Sequence, residues 1–61
     1  MNADARRKEI QRTLTGSSAP VSATTLAQKL NVSRQVIVGD IALLRAKGAN
    51  VIATPRGYLL Q

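Results

Sequence analysis

Only three residues, Asn31, Val32 and Ser33, separate two amphipathic segments near the middle of this 61-residue chain. Before them, Ala23, Leu26, Ala27 and Leu30 form an apolar stripe at positions i, i+3, i+4 and i+7, the signature of a half-buried helix. After them, Ile37, Ile41 and Leu44 gather on one side at about 100° per residue. Ser22 and Ser33 each stand where an N-cap is needed, and Asn31 tolerates the left-handed backbone that closes a helix. Helices are therefore predicted at about 23–30 and 34–47. So short a connection makes the helices cross steeply and leaves one face of the later helix outside the body. Val32, the one apolar residue of the connection, is expected to point into the core.

The flanking segments complete the pattern. From Ala3 to Thr15, Ile10 and Leu14 share a face one turn apart, and Asp4 suits the positive end of a helix dipole. Gly16 then reads as a C′ glycine, with a loop from Ser17 to Pro20. Beyond Gly48, which ends the third helix, the period changes. Val51 to Thr54 and Tyr58 to Leu60 are rich in β formers and enclose Pro55-Arg56-Gly57. Pro at i+1 and Gly at i+3 of a type I turn favour a hairpin with a three-residue type of loop, spanning about 51–60. Helix, helix, tight turn, helix and hairpin in that order make a winged helix-turn-helix. The fold is thus mainly α with a small β-hairpin, a single domain over residues 1–61.

Nine Lys and Arg against three Asp and Glu give a net charge of +6, a strong field on so small a surface and one that favours a polyanionic partner. The chain has no Cys and no His. No disulfide or thiolate zinc site can hold it together, and the three carboxylates lie on separate elements with no partner for acid–base chemistry. Catalysis has no support. No apolar run approaches the roughly 20 residues of a membrane span, and no secretory signal follows Arg6-Arg7-Lys8. A cytoplasmic protein that does not engage a membrane is expected.

In a helix-turn-helix the later helix enters the major groove and reads bases with its first residues. Arg34 can pair bidentately with guanine and Gln35 with adenine, while Val38 can meet a thymine methyl. The Ser33 hydroxyl and the amides beside it suit a phosphate. Arg34 and Gln35 can equally be a solvated first turn. Arg34 and Arg45 flank a face made of Gln35, Val38, Gly39 and Ala42. Glycine in mid-helix costs about 1 kcal/mol relative to alanine. It leaves a smooth surface that fits either a groove or another protein. Thr24 can bond a phosphate across the groove. Arg56, at the hairpin tip, can touch a phosphate or the minor groove, or be simply charged and mobile. Arg6, Arg7, Lys8 and Arg12 form a basic face of the first helix. Tyr58 reads as a packed strand aromatic, and Asp40 as the partner of a local Arg or Lys. Two functions stay open: sequence-specific binding of double-stranded DNA, or a winged-helix protein-interaction module that does not bind DNA. RNA binding is disfavoured because exposed aromatics for stacking bases are lacking.

The stretch Val32-Ser33-Arg34-Gln35-Val36-Ile37-Val38-Gly39-Asp40, continuing to Lys47, and then Val51 to Tyr58, resembles the DNA-binding domain of the niacin-responsive transcriptional repressors of Gram-positive bacteria. Arg7, Ile10, Leu14 and Leu26-Ala27 also match. The closing Gly57-Tyr58 is shared more widely, for example with biotin repressors. Gly39 departs from the longer polar residue common in the family. The resemblance implies a repressor of genes for NAD synthesis or niacin uptake, a homodimer when full-length. It also implies nicotinic acid and a metal ion as ligands of a C-terminal domain whose histidines this chain lacks, so no cofactor or metal site is expected here.

Overall fold

The computed structural model describes residues 1–61 as three helices and a hairpin: α1 (Ala3–Thr15), α2 (Ala23–Leu30), α3 (Arg34–Ala46), β1 (Val51–Thr54) and β2 (Gly57–Leu60). Each helix begins on a side-chain cap, which satisfies one of the amide donors that a helix start leaves unpaired. Asn2 accepts from Ala5 N–H at 2.8 Å, Ser22 from Thr25 N–H at 3.0 Å, and Ser33 from Val36 N–H at 3.3 Å. Asn31 closes α2 in the left-handed region at φ 56°, and the next amide, of Val32, donates back to the Ala27 carbonyl at 3.0 Å. Both ends of the tight turn are thus fastened by local chemistry.

The predicted apolar positions meet in one core. Ile10, Leu14, Leu26 and Ile37 are almost wholly enclosed, with Ala23, Ala27, Ile41, Leu44 and Val51 around them. Val32 and Tyr58 are half-buried against this cluster. All of these side chains except Tyr58 are aliphatic, so the stability of the domain rests on close packing of a few branched groups.

Several details differ from the sequence reading. Gly16 caps α1 in the right-handed region at φ −81°, so this position makes no use of glycine's left-handed freedom. The left-handed glycine is Gly48, at φ 99°, one residue past the cap Lys47. The helix therefore ends at Ala46 rather than at position 47. The hairpin is also tighter than a three-residue loop. Thr54 pairs with Gly57, so only Pro55 and Arg56 bridge the antiparallel strands. Neither of those two has a positive φ, and Gly57 accommodates the strand twist at φ 140°.

The hairpin is tied down by a contact that no periodicity announces. Val21 and Tyr58 exchange backbone hydrogen bonds of 2.9 and 2.8 Å, so the residue before the α2 cap adds a single rung on the free side of β2. Gly57 lies against this rung so closely that a Cβ there would stand 2.5 Å from the Val21 carbonyl carbon. The wing and the start of α2 are therefore one unit.

Candidate nucleic-acid interface

The helix that follows the tight turn has two sides with different duties. Ile37, Ile41 and Leu44 enter the core, while Gln35, Gly39 and Ala42 are exposed. Nothing lies within 4 Å of the point where a Cβ on Gly39 would sit, so the middle of the outward face is flat and open. Val38 departs from the face assigned to it. It is half-buried and packs on the core, since it lies only about 60° around the helix from Ile41. Leu43 is the large apolar residue of α3 that does face outward, 48% exposed, whereas Val36 is half-buried like Val38.

What seats α3 is a charge cluster on its inner flank. Asp40 is buried, with its carboxylate gripped by the Nε and Nη2 of Arg6 on α1, the latter at 3.0 Å. Arg7 reaches the same carboxylate at 3.4 Å and joins Asp4 at 2.7 Å. The partners of Asp40 are thus not local but more than thirty residues earlier. The Arg6 hydrogen bonds hold the Asp40 carboxyl below its ordinary range against the opposing effect of burial, and Asp40 in turn raises Arg6. Arg6 and Arg7, expected to form part of a solvated basic face, are committed to the interior. This pair fixes how α3 is turned about its own axis.

The remaining sequence-chosen residues divide clearly. Ser33 is exposed and its oxygen caps α3, leaving the hydroxyl proton free to donate. Arg34 and Gln35 are exposed on the first turn. Arg45, at the far end of α3, donates from Nε to the Val51 carbonyl at 2.8 Å and so ties the helix to β1. Its place is a strut between helix and wing, distant from the first turn. Thr24, Arg34 and Arg56 come together, lining one cleft of about 220 Å³ between the α2 start, the α3 start and the wing tip.

Charge is distributed just as unevenly. Of nine Lys and Arg, five find protein acceptors: Arg6, Arg7, Arg12, Lys29 and Arg45. Arg34, Arg56, Lys8 and Lys47 have none. The first two share the wing-side cleft, and the other two line a shallow concavity between α1 and the end of α3 that also contains Asp4. No group of three or more Asp or Glu side chains could hold a metal ion, so the metal that the family resemblance implies has no fitting ligand set in these residues. No helix is long and apolar enough to cross a membrane.

Comparison with known proteins agrees with this geometry. The chain is 60% identical over 55 residues to a Thermotoga maritima protein named "Probable transcription repressor NiaR", covering 90% of this chain and 31% of that protein. It is 50% identical over 54 residues to the Bacillus subtilis "Transcription repressor NadR", covering 88% of this chain and 30% of that one. The chain therefore spans about a third of the length of these relatives. Residues 6–59 match the family described as HTH domain, from the Arg6 that grips Asp40 to the second strand of the wing. With a capped three-residue turn, a following helix α3 seated from behind and a wing beside it, the chain belongs to the helix-turn-helix domain family.

Proposed function

We propose that this chain is the DNA-reading head of a bacterial transcriptional repressor, binding duplex DNA with α3 in the major groove and the β1–β2 wing alongside. The observation that carries this reading is the division of α3. Its inner face is used up by the core and by the Asp40 seat, while Gln35, Gly39 and Ala42 face outward without a protein partner. Unpaired Arg34 and Arg56 flank that face where phosphates would run. Gln35 suits adenine through a bidentate pair, and the half-buried Val38 keeps enough exposure at the edge of the face to meet a thymine methyl. The relatives' names favour target genes of NAD synthesis or niacin uptake. The dimer and the response to nicotinic acid and metal belong, in this reading, to parts of the repressor other than these residues.

The test is equilibrium binding to duplex DNA over a salt series, followed by selection of preferred sequences from a randomised duplex library. Affinity should fall linearly on logarithmic axes with rising salt, as counterion release requires. Gln35→Ala should then relax discrimination at one base position by about 1–3 kcal/mol while leaving affinity for random duplex nearly unchanged. A wild-type domain with no affinity for duplex even at low salt would overturn the reading and favour a protein partner for the smooth α3 face.

A further inference from the structure

The cleft at the wing has features that ordinary basic surface lacks. It is built from three elements, two of which, the wing and the α2 start, are locked together by the Val21–Tyr58 rung and the close seat of Gly57. Arg34 enters from the α3 start and Arg56 from the hairpin tip, and neither guanidinium has an acceptor within the protein. The amides of Ala23 and Thr24, in the same wall, belong to the first turn of α2 and have no backbone acceptor. No acidic side chain lines the cleft. Two unpaired cations, two free amides and the Thr24 hydroxyl therefore belong to the lining of one concavity that has no carboxylate to repel an anion.

We propose that this cleft holds a single DNA backbone phosphate, clamped jointly by Arg34 of the recognition helix and Arg56 of the wing. Arg34 thereby sets the depth and register of α3 in the groove, and base reading begins at Gln35. This departs from the expectation that Arg34 pairs with guanine. A guanidinium drawn toward the wing and the α2 start, on the flank of α3, is aimed at the sugar-phosphate strand that borders the groove rather than at its floor. The inference rests on the DNA-binding reading above.

A double-mutant cycle separates the two. Arg34→Ala, Arg56→Ala and the double variant are compared with wild type on a short random-sequence duplex, with Lys47→Ala as the partner in a control cycle. Each arginine variant should lose affinity about tenfold, the size of one charge-assisted hydrogen bond. The double variant should lose clearly less than the product of the two, because both act on one phosphate, whereas Arg34 with Lys47 should combine multiplicatively. Library selection should return the same preferred sequence for wild type and Arg34→Ala. Multiplicative losses for Arg34 with Arg56, or a lost base preference in Arg34→Ala, would overturn the shared clamp while leaving DNA binding intact. Absence of wild-type binding to any duplex would overturn both.

Discussion

Replacing Gly57 with alanine should be the most damaging single methyl addition in the domain, and the structure says why. The residue has φ 140°, a conformation that side chains of L residues rarely adopt, and the added Cβ would meet Val21 C at 2.5 Å, Val21 O at 2.6 Å and Ser22 N at 2.7 Å. All three are backbone atoms, so no flexible side chain can swing aside. The backbone strain alone costs on the order of 1–3 kcal/mol. Overpacking against a fixed wall adds about as much again. A domain of this size is stabilised by roughly 3–9 kcal/mol in total, so the variant should lose a large fraction of its stability. Two other glycines calibrate the effect. Gly39→Ala meets nothing within 4 Å and should stabilise by about 1 kcal/mol through helix propensity. Gly48 also has open space but sits at φ 99°, so its alanine variant should cost about 1 kcal/mol from conformation alone. Urea denaturation followed by circular dichroism measures all three. In Gly57→Ala, hydrogen exchange at the Val21 and Tyr58 amides should also accelerate, since the wing can relieve the clash only by leaving that rung. If Gly57→Ala proved as stable as Gly48→Ala, the close seat of the wing would be refuted.

Two further outcomes concern α3. Asp40→Asn removes the charged partner of Arg6 and Arg7 and should lower the stability at neutral pH. Because the Asp40 carboxyl lies below its ordinary value of 3.8 when folded, its contribution is full above that value and is lost as pH falls through the lower folded value. Acid titration of stability should therefore be steeper in wild type than in Asp40→Asn, and parallel curves would count against the pair. Ser33→Ala should cost about 1 kcal/mol by losing the α3 cap, whereas Ser33→Asp should keep the cap and the stability. The same aspartate places a negative charge at the groove, so binding to DNA should weaken without loss of folding. Melting curves alongside duplex binding would expose a failure of either half.

The parts of this molecule that depend on neighbours in sequence were legible there. Ser22, Ser33 and Asn31 do locally what their chemistry favours, and the spacing of Ile37, Ile41 and Leu44 survives unaltered as the buried side of α3. What the sequence concealed was pairing at a distance. Asp40 has basic residues nearby in sequence, yet its carboxylate is satisfied by Arg6 and Arg7, whose own helix gives no local sign of an inward partner. Arg45 was read only as flanking the outward face of α3, because a guanidinium's bond to a backbone carbonyl leaves no trace in composition. The half-burial of Val38 was hidden for a simpler reason. Val38 sits at the edge of the core arc, where a helical count cannot separate half-buried from exposed. Arg34 and Arg56 were each singled out, but their meeting in one cleft depends on the Val21–Tyr58 rung.

The seat of Asp40 has a consequence for how such a head can change its target. The residues that hold α3 in place and those it offers outward share no position, so Gln35, Gly39 and Ala42 can be exchanged as freely as type in a locked frame. New letters at those three sites should yield new operators on an unaltered scaffold. Edits to α1 behave differently: losing Arg6 would roll the whole helix and blur every letter together. Retargeting belongs to the outer face, and fidelity to the helix behind it that holds the Asp40 seat.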